Sequence, residues 1–229
     1  MISVGSIVFR WRRYSMKKII TISREYGSGG HTIGELLAKE LGYSFYDSEI
    51  IDMTAQKSGF SPDFVRTTEQ NLSSGWLYSL LLGSTYASQP SVGVAGSVGT
   101  VPTLPLADQV FNAQRRVIVE LAQKGPCVIV GRCSDYILRH EDWVSKQELL
   151  NIFIYAPLAD KVARAIEQKG LDPKTAEKEV KSIDKRRANH YNTFTERTWG
   201  KRDHYDLLIN SSMLGLEKTA QMIAGIARL

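Results

Sequence analysis

The stretch that most constrains this chain is Ile19–Gly34, I-I-T-I-S-R-E-Y-G-S-G-G-H-T-I-G. It opens with β-formers, turns through Gly27, Ser28, Gly29 and Gly30, and then takes up an apolar pattern of helical spacing. That is a strand, a glycine-rich loop and a helix. Glycine lets a ligand approach the backbone closely, and a helix start offers unpaired N–H groups at the positive end of its dipole. Such a junction suits phosphate. A tight strand-to-helix turn can also need glycine for geometry alone, so the rest of the chain must supply what a phosphate site requires.

With 229 residues, 43% of them hydrophobic, the chain can build one sizeable α/β domain. Five of its 29 basic residues (Arg10, Arg12, Arg13, Lys17 and Lys18) lie in the first 18 positions, which hold no acid. The remainder is balanced, so the net charge of +5 comes from the N-terminal end. A body that grips nucleic acid should itself be basic, and no nucleic-acid partner is expected. Ile2–Phe9 precedes the positive charges, the reverse of a secretory signal, and residues 1–15 are expected to be a disordered extension. No apolar run approaches the roughly 20 residues of a membrane helix. Cys127 and Cys133 flank an extended segment that at about 3.3 Å per residue exceeds disulfide reach. Two free thiols, without metal-ligand spacing, fit a reducing cytoplasm.

Along the chain, Ile33, Leu36, Leu37 and Leu41 predict a helix that Gly42 stops. Tyr43–Tyr46 reads as a short strand ending in Asp47-Ser48, followed by a helical pattern. Ser61-Pro62-Asp63 starts a further helix. Trp76–Leu82 is apolar and extends this arm, whereas Gln89–Pro105, rich in Gly and Pro and free of charge, reads as a mobile loop. Leu106–Lys124 is a long amphipathic helix. Cys127–Val130 and Ile152–Tyr155 are continuously apolar, as strands covered on both faces are. A helix Leu158–Gln168, one from Asp172 to about Tyr191, a strand Tyr205–Asn210 and a helix Leu216–Leu229 complete the chain.

Five strands each followed by helix predict an α/β fold, a doubly wound five-stranded parallel sheet. Ligands of such sheets bind beyond the strands' C-terminal ends. There the polar punctuation falls: Arg24 with the glycines, Asp47-Ser48, Gly131-Arg132 and Asn210. Four separate segments point at one rim.

On S-R-E-Y-G-S-G-G, F-Y-D-S (Phe45–Ser48), V-I-V-G-R (Val128–Arg132), Asp184–Arg187, Trp199-Gly200 and Y-D-L-L-I-N (Tyr205–Asn210), the chain resembles the cytidylate kinase-like family of nucleoside monophosphate kinases. The resemblance spans Met16–Leu229 and implies a single P-loop kinase domain. Within it, 47–105 would form a helical acceptor-side arm with its loop, and 172–203 a lid. It further implies ATP and Mg2+ as cofactors and a nucleoside monophosphate, CMP- or dCMP-like, as the small acceptor. Gly27, Ser28, Gly29, Gly30 and His31 would cradle the donor phosphates, and Thr32 would help hold magnesium. Asp47, Ser48 and Asp184 match the acceptor side, with Arg132 on the acceptor phosphate or its nucleoside.

A conventional phosphate loop, G-x-x-x-x-G-K-[ST], carries a lysine that reaches the outer phosphates. Here Gly30 occupies the lysine's position and Arg24 that of the first glycine. Arg24 is the favoured substitute, since a guanidinium holds phosphate oxygens bidentately. Ala176, Val180, Ile183, Arg187 and Tyr191 share one helical stripe, which sets Arg187 on an otherwise inward face. Lid closure would then bring Arg187 over the donor phosphates, with Asp184 one turn away to orient it.

Plainer readings stand beside these. His31 can be an exposed helix-start residue, Asp47 a helix cap, Arg187 a snorkelling side chain, and Trp76, Trp143 and Trp199 packing residues. Because of Gly30, a nucleotide-binding sensor or scaffold without transfer is the competing function. Phosphorylation of a different small acceptor is a third.

Overall fold

The computed structural model describes residues 16–71 and 105–229. The expected extension over 1–15, Trp76–Leu82 and all of the Gln89–Pro105 segment but its last residue lie outside the described residues.

The elements in order are β1 (Ile19–Arg24), α1 (Gly30–Leu41), β2 (Ser44–Tyr46), α2 (Glu49–Ser58), α3 (Pro62–Asn71), α4 (Leu106–Gln123), β3 (Cys127–Val130) and α5 (Ser134–Arg139). There follow β4 (Leu149–Tyr155), α6 (Leu158–Lys169), α7 (Ala176–Thr195), a 3-10 turn at Arg202–His204, β5 (Leu207–Asn210), α8 (Ser211–Leu214) and α9 (Leu216–Ala227). Every pairing is parallel, in the order β2-β3-β1-β4-β5. β1 is the middle strand: Ile22 pairs with Val130 on one side and Ile152 on the other. The chain winds to one side of β1 through β2 and β3 and then crosses to β4 and β5. The strand order therefore reverses at the tip of β1, where doubly wound sheets bind ligands.

Alternate side chains of the sheet enter two cores. Ile20, Ile22, Val128, Val130, Ile152 and Ile154 pack with Ile33 and Leu37 of α1 and Ile223 of α9. Ile19, Cys127, Ile129 and Leu149 pack on the opposite face with Val117, Ile118 and Leu121 of α4 and Ile137 of α5. This explains why β3 is apolar throughout: both faces are covered. Both cysteines are buried and neither is in a disulfide, and burial pushes the Cys127 thiol up to about 12, which keeps it protonated.

α1 approaches the sheet through Gly34, where a Cβ would stand 3.0 Å from Val130, 3.1 Å from Phe45 and 3.3 Å from Ile22. Ser61 caps α3, its Oγ accepting from Phe64 N at 3.2 Å. The helix expected from Asp172 begins four residues later, because Asp172 accepts from Lys174 N, Thr175 N and Ala176 N in a turn that precedes it. Trp199 packs edge-on against Phe153 with ring centres 5.1 Å apart, whereas Trp143 is exposed, unlike the packing residue expected there.

Candidate functional site

Between β1 and α1 the chain turns through Gly29 in the left-handed region (φ 78). The loop's carbonyls at Glu25, Gly27, Ser28 and Gly29 each have a donor. Glu25 O accepts from Ser28 Oγ (2.8 Å), Gly27 O from Arg164 Nη1 (3.1 Å), Ser28 O from Ser211 Oγ (2.6 Å) and Gly29 O from Ile33 N (2.9 Å). The first-turn amides of α1 have no intrahelical acceptor, and Gly29, Gly30, His31 and Thr32 line a cavity of about 340 Å³. Unpaired helix-start amides beside carbonyls that already have donors suit an anion. Ser28 is fully buried and closes the turn, so it shapes the cradle from behind.

Arg24 explains Gly30. A Cβ at position 30 would stand 2.5 Å from Arg24 Cβ and 3.0 Å from its Cγ. At the tip of β3, a Cβ on Gly131 (φ 77) would overlap the Arg24 guanidinium. The arginine thus lies in a slot floored by two glycines, its Nη2 3.4 Å from Asp47 Oδ1. A lysine at position 30 and this arginine compete for one space.

Asp47, at the end of β2, gathers the rim. Its Oδ2 lies 2.6 Å from His31 Nδ1, and its backbone oxygen accepts from Arg132 Nε at 3.1 Å. Asp47 does not cap α2; Ser48 occupies that position without a side-chain cap. Gly131, Arg132 and Cys133 run consecutively at φ 77, 59 and 56. Two non-glycine residues in the left-handed region carry backbone strain, a feature that clusters where a side chain must be aimed.

From α7, Arg187 Nη1 donates to Arg24 O at 3.1 Å, and its guanidinium lies 5.6 Å from the Tyr26 ring centre. Burial, and then the charge of Arg24, push Arg187 down to about 9 against the attraction of Asp184 and Asp47, leaving it charged at neutral pH. Asp184 has other partners than the Arg187 contact expected of it: Oδ1 accepts from Tyr26 N (2.6 Å) and Oδ2 from Lys161 Nζ (2.8 Å). Below them, Tyr191 donates to the fully buried Asp135 at 2.7 Å. Three side chains of one helix stripe therefore bolt α7 to the loop, β1 and α5.

A second cavity of about 360 Å³ lies between α7 and the strand tips, lined by Arg24, Arg66, Arg132, Arg186 and Arg187 with Tyr26, His190 and Tyr191. The two cavities share Arg24, Tyr26 and Arg187. Asp47 and Ser48 line the loop-side cavity and Arg132 the other. Asn210 turns away to cap α8, its Oδ1 accepting from Ser212 N at 3.0 Å. A larger groove of about 660 Å³ between α2 and α4 holds paired surface charges such as Arg115 and Glu141 and none of the rim residues.

Sequence reasoning missed Lys161, Glu25, Arg164 and Asp135. A signal was present for two: Lys161 and Arg164 stand one turn apart on the helix that follows a rim strand.

A five-stranded parallel sheet with a phosphate-type loop at its switch point defines a P-loop kinase-like protein. The model of the cytidylate kinase-like family matches residues 19–213, and the chain belongs to that family. Family and fold together place it among nucleotide-binding phosphotransferases. Among solved structures, an uncharacterised protein from Eubacterium ventriosum is 24% identical with a TM-score of 0.60, over 92% of this chain and 98% of that one. A shikimate kinase from Acinetobacter baumannii is 15% identical with a TM-score of 0.47, over 92% of each chain. Another from Bacteroides thetaiotaomicron is 14% identical with a TM-score of 0.49, over 94% of this chain and 100% of that one. No curated protein matches the chain. Among the described residues, no helix is long and apolar enough to cross a membrane.

Proposed function

We propose that the protein transfers the γ-phosphoryl group of ATP to a nucleoside monophosphate, CMP- or dCMP-like. The observation that carries this reading is the meeting of two cavities at Arg24 and Arg187. The loop-side cavity takes the donor phosphates on the α1 amides. The arginine-lined cavity takes the acceptor phosphate, with Arg132 as its anchor. Arg24 and Arg187 then flank the group in transit, where charge spread over the transferring oxygens needs fixed cations.

The chemistry of the lining supports a phosphate acceptor over an alcohol. Five arginines line that cavity and match the charge of a phosphate-bearing acceptor. A phosphate oxygen is already ionised at neutral pH and needs no base.

Magnesium suits the loop-side cavity. It keeps most of its waters and binds through substrate phosphates with few protein ligands, so a dedicated cage is not required. Thr32 lines the cavity within the first turn of α1 and would hold the ion together with donor oxygens. When bound, the ion would neutralise phosphate charge. The protein's own part is to orient both substrates and exclude water around them.

A thermal-shift screen of nucleotides with and without magnesium, followed by a transfer assay on the hits, tests the proposal. The expected result is stabilisation by ATP and by a pyrimidine monophosphate, with diphosphate formed from both. A folded protein that produces no diphosphate from any monophosphate overturns it. Binding without product returns the reading to a sensor or scaffold.

A further inference from the structure

We infer that Lys161 is a positioning residue: its ammonium ties the phosphate loop to α7 so that the donor amides and Arg187 keep a single arrangement. This rests on the reading of the site as a kinase cleft. Lys161 lies on the first turn of α6 and is only 7% exposed. Its Nζ stands 2.9 Å from Glu25 Oε2 and 2.8 Å from Asp184 Oδ2. Burial alone would lower its pKa, but the hydrogen bonds and charges of Asp184 and Glu25 outweigh burial and raise it. The lysine is therefore charged throughout the neutral range.

Each partner passes the tether on. Glu25 Oε2 also accepts from Ala156 N at 3.3 Å, where β4 has just ended. The other oxygen of Asp184 accepts from Tyr26 N at 2.6 Å. The backbone joins in as well, because a Cβ on Gly27 would collide with the carbonyl oxygen of Lys161. One turn further along α6, Arg164 holds the Gly27 carbonyl. Loop, α6 and α7 thus converge on one ammonium.

The consequence for chemistry runs through neighbours. Glu25 and Tyr26 directly follow Arg24, and Arg187 lies one turn beyond Asp184 on α7. Lys161 lines neither cavity, but the two arginines shared by both cavities are set by the segments that it joins. Without the ammonium, two carboxylates would remain together in a poorly solvated space and repel, which drives α7 from the loop. Arginine keeps the charge and the donors.

The experiment compares Lys161→Met, Lys161→Arg and Asp184→Asn in the full chain, with folding confirmed by circular dichroism. Amide exchange over Tyr26–Gly30 is read without ligand, and kcat and KM with ATP and the best acceptor. Exchange is expected to be at least roughly tenfold faster in Lys161→Met and Asp184→Asn. In both, kcat should fall by roughly 30-fold or more while acceptor KM moves by less than about threefold, since a misplaced cation costs more in the transition state than in binding. Lys161→Arg should recover most of both readouts. Unchanged exchange in a folded Lys161→Met overturns the tether, and faster exchange with unchanged kcat overturns the positioning role. If Lys161→Met does not fold, Asp184→Asn decides by the same measurements. If the wild type turns over no acceptor, the kinase reading falls, while exchange at Tyr26 still decides the tether.

Discussion

At the scale of single residues, the unusual loop is a reciprocal exchange. Gly30 is a glycine because Arg24 passes over it, with 2.5 Å between the position of a Cβ and the arginine's own Cβ. Arg24→Ala should fold and lose transfer by roughly a hundredfold or more, the scale on which removal of one transition-state donor acts. Gly30→Lys alone should be worse folded than wild type, because two side chains then claim one space. The pair Arg24→Gly with Gly30→Lys relieves that collision and should recover part of the activity in a coupled assay; a double variant no better than either single one would show that Arg24 has no equivalence to the lysine. Arg132 allows a sharper separation of stability from function. At φ 59 the arginine is strained and glycine is not. Arg132→Gly should hold or gain stability, by about 1 kcal/mol in urea denaturation, while acceptor KM rises steeply. A loss of stability accompanying the rise in KM would make Arg132 a packing residue.

At the scale of elements, helix positions were legible and helix roles were not. The stripe Ala176, Val180, Ile183, Arg187 and Tyr191 could be read from spacing alone, and four of these residues contact the body as an inward face should. What spacing hid is that α7 is pinned at Asp184, Arg187 and Tyr191, so any movement of α7 away from the body must break all of these contacts together. The short helices α5 and α8 were also invisible, since six and four residues are too few to display a period. α1 shows the opposite case. Its capping glycine and its apolar spacing were plain, yet the close approach at Gly34 arises only when Val130 and Phe45 arrive from elsewhere in the chain. Gly34→Ala should therefore cost about 1–3 kcal/mol in chemical denaturation, the range for overpacking a full interface, and a neutral result would mean that α1 can slide.

At the scale of the whole molecule, pH reports on the floor beneath the site. Burial pushes the Asp135 carboxyl above its ordinary value of 3.8, only partly offset by hydrogen bonds from Tyr191 and Ser23. A raised folded pKa means that the native state keeps a proton which the unfolded chain releases. Stability from this group is therefore full below about pH 4 and is lost as pH rises through the folded value. Asp135→Asn keeps an acceptor for Tyr191 and cannot ionise. It should flatten that slope and be more stable than wild type near neutrality, read from urea midpoints across pH 4–8. An unchanged slope would place the titrating group elsewhere.

The sequence by itself determined the parallel sheet, the strand-loop-helix at its centre and the rim at which polar residues gather. These follow from periodicity, from continuous apolar strands and from backbone demands that glycine meets, all of them local. Tertiary structure decided which charges meet. Tyr26 and Asp184 lie 158 residues apart, and Arg24 and Arg187 163, so no local pattern could pair them. The reversal of strand order at β1 brings α6 and α7 against the loop, and only there does a glycine in the lysine's place become the seat of an arginine.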